Sequence, residues 1–268
     1  MARSAMGNGF GEARRRNFSL EQKLRAILSR VPRLILDTER RLGDFSGDEA
    51  TYDVSLCKEE VARQHIFALE GERLRFLDVG ARDGRLDYLL GVRENLQSDP
   101  SLYAANRARF DAKYEYWGLD LQSQATDDSV LVGDICSPTL LDDQPRFEGF
   151  FDAIYSNNVF EHLRWPWVAA ENLVRMLRPG GICITIAPFS IRYHESPVDH
   201  FRFTHVGLAS LFEDGGDVEV LRSGYDIRGR RNNWQGLGIA NDRCPVDRFG
   251  AWRESWFAVC VVRKRPGS

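Results

Sequence analysis

No stretch of the chain approaches the ~18 consecutive apolar residues that a membrane-crossing helix needs. The N-terminus also lacks the apolar core of a secretory signal: residues 1–18 are rich in glycine and carry Arg14-Arg15-Arg16, the composition of a disordered leader. Cysteine is sparse and unpaired in pattern. Cys57, Cys136, Cys183, Cys244 and Cys260 are odd in number, scattered, and form no CxxC pair, which argues against a disulfide framework or a zinc knuckle. Cys183 and Cys260 sit inside apolar runs, where cysteine is an ordinary small core residue, and a reducing cytoplasm suits the set. A basic field is missing too. The net charge is −3, so nothing in the composition speaks for a nucleic-acid partner.

What remains is a 268-residue chain with enough apolar residues (43%) for one large core and an appendage. Three parts are expected: a leader over 1–18, a helical extension over 19–70, and one α/β domain over 71–268. In the extension, Leu20, Leu24, Ile27, Leu28, Val31, Leu34, Ile35 and Leu42 recur at helical spacing, with Pro32 marking a break between two helices. Their polar face mixes both signs of charge. That favours a cap on the main domain or a homodimer contact over a membrane-surface helix. Gly43 to Tyr52 reads as a polar linker, and Glu59 to Leu69 as a short helix leading into the first strand.

From there strand and helix patterns alternate. Arg75 to Val79 reads as a buried strand that turns on Gly80 and Gly84 into a helix carrying Leu86, Leu89, Leu90 and Val92. Further strands are expected over 114–121, 129–135, 151–157, 182–187, 218–225 and 256–263. Helices are expected over 167–177, stopped by Pro179-Gly180-Gly181, and over 205–213. Repeated βα units imply a mostly parallel sheet with helices on both faces. The last two strands have no helix between them and should pair antiparallel. Two links are long for plain βα connections, Arg93 to Lys113 and Arg230 to Ser255; the second, with Trp234 and Trp252, suits a lid or an interface element.

The turn after the first strand has the position of a nucleotide-like ligand site, because a helix start directs free N–H groups into it. A dinucleotide fingerprint would need a third glycine, and Arg82 stands where the middle one belongs. Asp78, inside the motif, would repel a pyrophosphate and attract a cationic ligand. The acid that follows a dinucleotide motif by ~20 residues is displaced as well, since Asp120 lies well beyond that spacing. A nicotinamide-dependent oxidoreductase is therefore disfavoured.

Five pieces in order carry a resemblance. They are Leu77-Asp78-Val79-Gly80-Ala81-Arg82-Asp83-Gly84, Gly118-Leu119-Asp120, Gly133-Asp134-Ile135, Phe151 to Leu163, and Leu177-Arg178-Pro179-Gly180-Gly181. Over residues 75–263 the chain resembles the class I S-adenosylmethionine-dependent methyltransferases. The resemblance implies a Rossmann-like, doubly wound, seven-stranded mixed sheet with its last strand antiparallel, and a transferase that converts S-adenosylmethionine to S-adenosylhomocysteine. It also implies the cofactor residues. Asp78 would lie near the methionine amino group, with Gly80, Arg82 and Gly84 in the loop. Asp120 would accept the ribose hydroxyls with Leu121 beside it, Asp134 and Ile135 would serve the adenine, and Asn157 would lie near the transferring methyl. For either Asp120 or Asp134 the alternative is a helix N-cap.

Acceptor chemistry is expected in two places. His162, in Glu161-His162-Leu163, is either a general base or a structural histidine beneath the cofactor. The stretch Pro188 to Thr204 follows the fifth strand and resembles a subgroup tied to sugar, polysaccharide or secondary-metabolite modification. There His194 and Asp199 are candidates for base chemistry, and Tyr193, His200 and Arg202, with Asn158, for substrate binding. The alternative is that Asp199 and Arg202 pair to order the loop while Thr204 caps the next helix. His194, Glu195, Asp199 and His200 are also of types that ligate divalent metals, but no metal is assigned. O-methylation of a small polar molecule, sugar or secondary metabolite is the expected reaction, with N-methylation open. The rival is a methyltransferase-like scaffold that has lost catalysis, for which Arg82 is the main support.

Overall fold

The computed structural model describes residues 57–81, 85–91, 100–121, 130–191, 193, 198–229 and 255–267. All belong to one compact unit, Asp48–Ser268. The expected leader, the paired N-terminal helices and the 230–254 loop lie outside the described residues.

The elements run α1 (Lys58–Ala68), β1 (Leu74–Val79), α2 (Arg85–Leu90), α3 (Pro100–Lys113), β2 (Tyr114–Asp120), β3 (Val130–Val132), α4 (Leu140–Asp143), β4 (Phe151–Asn157), α5 (Pro166–Met176), β5 (Leu177–Ser190), α6 (His205–Gly215), β6 (Val218–Gly229) and β7 (Ser255–Lys264). The seven strands form one sheet in the order β3-β2-β1-β4-β5-β7-β6. Pairing is parallel from β3 through β5, and β7 runs antiparallel to both β5 and β6. This is the Rossmann-like mixed sheet that the sequence pattern implied.

Alternation along the strands divides the core in two. Leu77 and Val79 of β1 face one layer with Leu173 of α5 and Leu208 and Phe212 of α6. Leu74 and Phe76 face the other, with Ile66 of α1, Leu89 of α2 and Phe110 of α3. Phe110 packs edge-on to Phe76 at 4.9 Å between centroids. β4 is buried at every residue, as a central parallel strand covered on both sides must be.

Two boundaries differ from the sequence expectation. The link after α2 holds a helix, α3, that buries only Phe110; one buried residue in fourteen leaves almost no apolar periodicity to read. The extended chain of β5 begins at Leu177, opposite Phe151, rather than after the glycines. α5 thus ends at Met176, before Pro179-Gly180-Gly181, which lies within the strand where the register shifts and Gly180 takes φ +80°.

The chain leaves β1 to build β2 and β3 on one side, then returns to lay β4 on the other. Such a reversal opens a crevice at the carboxyl ends of β1 and β4.

Candidate active site

The carboxyl edge gathers residues from four strands. Val79 pairs with Leu119 on one side and Ser156 on the other, and Asp120 pairs with Val132. Gly80, Asp120, Gly133-Asp134 and Asn157 therefore lie along one edge. Backbone bonds just past the ladder hold them there: Gly80 N–H donates to Leu119 O at 2.8 Å, Gly133 N–H to Asp120 O at 3.0 Å, and Asn158 N–H to Ile186 O at 3.0 Å.

Gly80 is required at its position for two reasons. Its φ is +77°, and an added Cβ would lie 2.7 Å from Val159 Cγ2. Gly118 serves a similar end on β2, where an added Cβ would come within 2.9 Å of the Ala81 Cβ, so its absence lets the turn close over the sheet.

Asp78 is fully buried near the end of β1. Tyr116, one strand over, donates its Oη–H to Asp78 Oδ2 at 3.1 Å. Burial and the neighbouring Asp78 carboxylate push the Tyr116 phenol well above its ordinary range, so it remains a donor at any working pH. Tyr116 was absent from the expected set. Its role follows from the parallel register and the side of the sheet it occupies, which the β2 sequence does not display.

Asp120 is half-buried and Leu121 is 63% exposed beside it. Asp134 is exposed; its Oδ1 accepts the Cys136 N–H at 2.8 Å, as in an Asx turn, which leaves Oδ2 for a further donor. Asn172 of α5 fixes this segment by donating to the carbonyls of Ile135 and Ser137, both at 2.8 Å.

After β4 the chain enters left-handed backbone at Asn158, φ +57°, an uncommon conformation for a residue with a side chain. Asn157 is 3% exposed. The Oδ1 atoms of Asn157 and Asn158 are both buried with no hydrogen-bond partner among the described residues. Buried polar atoms are seldom left this way, so an orphaned pair at a crevice points to groups that a ligand satisfies.

The stretch after β5 folds back on the turn after β4. His200 N–H and Phe201 N–H both reach Glu161 O, at 2.7 and 3.2 Å, and Phe203 N–H donates to Pro188 O at 3.0 Å. His162 Nδ1 lies 2.7 Å from Val198 O. A carbonyl only accepts, so Nδ1 carries the proton in this contact, and the other ring nitrogen is Nε2. That Nε2 is 3.7 Å from Oε1 of the fully buried Glu161. Asp199 and Arg202 form a two-pronged ion pair through both terminal guanidinium nitrogens, with the Asp199 side chain almost wholly buried. Arg202 also donates to Phe201 O at 2.7 Å. The loop-ordering role was one of the two readings open for this pair, and the geometry is of that kind. Thr204 Oγ1 accepts the Gly207 N–H at 2.9 Å and caps α6. His200 and Tyr193 are exposed, Tyr193 at 61%. Arg82, Gly84, His194 and Glu195 lie outside the described residues.

The edge offers a buried carboxylate at a glycine turn, a half-buried acid at the next strand end, and unsatisfied amide oxygens beside them. This fits a ligand with a cationic head, a diol and polar ring edges, and the fold with this edge defines a Rossmann-like methyltransferase. A family model described as "Methyltransferase domain" matches residues 50–254, and the chain belongs to that family. Its cofactor is S-adenosylmethionine, used by class I methyltransferase domains. No curated protein matches the chain. Similar solved structures include the complex between the Haloferax volcanii Trm112 methyltransferase activator and the putative methyltransferase, with 20% identity, 83% of this chain and 94% of that one covered, and a TM-score of 0.47. A putative sarcosine dimethylglycine methyltransferase from Galdieria sulphuraria has 14% identity, coverage of 77% and 85%, and a TM-score of 0.47. The Burkholderia thailandensis 1,6-didemethyltoxoflavin-N1-methyltransferase has 15% identity, coverage of 88% and 89%, and a TM-score of 0.46.

Proposed function

We propose that this methyltransferase methylates a hydroxyl group of a small polar acceptor, a sugar or secondary metabolite. The observation that carries the reading is the disposition of His162. Its Nδ1 is hydrogen-bonded to the Val198 carbonyl, and the buried Glu161 carboxylate stands 3.7 Å from its Nε2, where it would stabilise the imidazolium formed when Nε2 takes the acceptor's proton. An alcohol must lose its proton as it attacks, and an imidazole supported by a carboxylate is suited to take it.

The bound cofactor supplies an electrophilic methyl on a sulfonium. Asp78 and Asp120 would hold its amino group and ribose, Asp134 and Ile135 its adenine, with Gly80 and Leu121 lining the path. Asn157 and Asn158 present orphaned amide oxygens that accept hydrogen bonds from an amino or hydroxyl group. Holding acceptor and donor in line is itself a large part of the acceleration in a displacement of this kind. The 198–204 strap, tied to Glu161 and ordered by Asp199 and Arg202, would form the acceptor's wall, with His200 and Tyr193 at its exposed rim. The buried thiols of Cys136, Cys183 and Cys260 suit a reducing cytoplasm.

Calorimetric titration with S-adenosylhomocysteine, with NAD as control, followed by an acceptor screen on wild type and His162→Ala tests the reading. Binding of the first ligand alone, with turnover of a hydroxyl acceptor that falls in His162→Ala at unchanged cofactor affinity, supports it. Absence of any binding would favour the inactive-scaffold reading instead, and full activity in His162→Ala would remove the base.

A further inference from the structure

At the opposite, amino-terminal edge of the sheet, a cavity of about 430 Å³ opens between the end of α1 and the start of β5. Its walls carry His65, Leu69 and Glu70 from α1 and the turn after it, Arg178 and Ile182 from β5, and Arg263 from β7. Arg178 is held by an ion pair from its Nε to Asp152, which itself accepts the Arg75 N–H at 2.7 Å. The terminal guanidinium nitrogens of Arg178 have no hydrogen-bond partner among the described residues, and neither has the side chain of Arg263. The one carboxylate in the wall, Glu70, is exposed.

We propose that this cavity binds a small organic phosphate, of mononucleotide or sugar-phosphate size, independently of the methyl-transfer site. Two guanidinium groups converging on one space match the geometry of phosphate oxygens. The imidazole of His65 adds a donor that becomes cationic when an anion arrives, while Leu69, Ala68 and Ile182 offer apolar contact to the organic part. The open position beside Gly180, where nothing lies within 4 Å of a would-be Cβ, leaves the mouth unobstructed. Burial and the charges of Arg222 and Arg263 hold the His65 pKa below its ordinary value. The groups around it are Arg178 on β5, Arg222 on β6, Arg263 on β7, the Glu70 carboxylate, and Glu219 cross-strand from Arg263. An anion bound between Arg178 and Arg263 would draw a proton onto His65. Since β4 and β5 separate this edge from the cofactor edge by the length of a seven-residue strand, roughly 20 Å, the two ligands do not compete for space.

The test titrates the full chain with AMP, ribose 5-phosphate, inorganic phosphate and ribose, following the His65 ring by NMR, with and without saturating S-adenosylhomocysteine. Expected are saturable binding of the phosphorylated probes, an upward move of the His65 pKa, and no binding of ribose. Arg263→Ala should weaken the phosphates by ~10-fold, the loss of one charge-assisted contact, while S-adenosylhomocysteine affinity stays at the wild-type value and reports an intact fold. Tighter binding of inorganic phosphate than of either organic probe would overturn the organic-ligand assignment. Displacement of AMP by S-adenosylhomocysteine would show that AMP occupies the cofactor's adenine site, and binding indifferent to Arg263→Ala, or none at all, would overturn the proposal outright.

Discussion

Tyr116 Oη and Asp78 Oδ2, on adjacent parallel strands, are joined by a hydrogen bond of 3.1 Å beneath the glycine turn. A buried carboxylate that must meet a cationic ligand needs its orientation set beforehand, and the phenol on the neighbouring strand helps to set it. Tyr116→Phe removes the donor and leaves the ring. We expect S-adenosylhomocysteine to bind more weakly by about 1 kcal/mol, the usual worth of such a bond, measured by calorimetry. Unchanged affinity would mean that Asp78 is positioned by its other contacts.

Asp120 provides the complementary test at the second strand end. Asp120→Ala should weaken S-adenosylhomocysteine by about 1–3 kcal/mol, since two hydroxyls would lose their acceptor. The melting temperature without ligand should barely move, because the side chain is only half-buried.

Gly80→Ala separates backbone strain from crowding. The alanine must hold φ +77°, and its new methyl meets Val159 Cγ2. A loss of about 1–2 kcal/mol in urea denaturation is expected from the left-handed backbone alone. Adding Val159→Ala should recover only the crowding part, so the double variant stays below wild type.

Asp199→Asn keeps the shape of the strap and removes its charge. Because the Asp199 side chain is buried against Arg202, stability should fall by about 2–3 kcal/mol, towards the lower end for broken buried pairs since Arg202 is partly exposed. If the strap forms the acceptor wall, KM for the acceptor should rise more than kcat falls.

The imidazoles of His65 and His205 give a pH dependence of stability. Burial lowers both pKa values in the fold, and for His65 nearby arginines add to the effect. The unfolded chain, with histidine near 6.5, then binds the extra protons first. Stability is therefore full above that value, declines as pH falls below it, and levels off once the folded-state histidines also charge. Urea midpoints at pH 7.5 and 5.5 should show the decline, and His205→Gln should reduce it.

Residues at strand ends were legible in the sequence because one local rule places them. A strand followed by a turn must deliver its last residues to the carboxyl edge, so Asp78, Asp120, Asp134 and Asn157 could be assigned to one edge without knowing the distances between them. Contacts between elements were not legible. The hydrogen bond from Tyr116 to Asp78 depends on register, the docking of His200 on the Glu161 carbonyl depends on the path of a loop, and the Arg178–Arg263 cavity depends on where an inserted antiparallel strand ends. α3 escaped for another reason: a helix that buries one residue leaves no periodic trace. The spacing of three residues between Asp199 and Arg202 suits a local pair as well as a site, so their ion pair shows only in the geometry.

The placement of β7 has a consequence for how the molecule is made. This strand follows every other element of the sheet in the chain, yet it lies between β5 and β6 rather than at an edge. During synthesis β6 therefore emerges with no neighbour to join, and β5 waits with one side open. The parallel half from β3 to β5 can assemble as it appears, but the sheet cannot close before residues 255–264 have left the ribosome. Until then an exposed apolar strand edge is the most vulnerable part of the nascent protein, and it is where a chaperone would be needed.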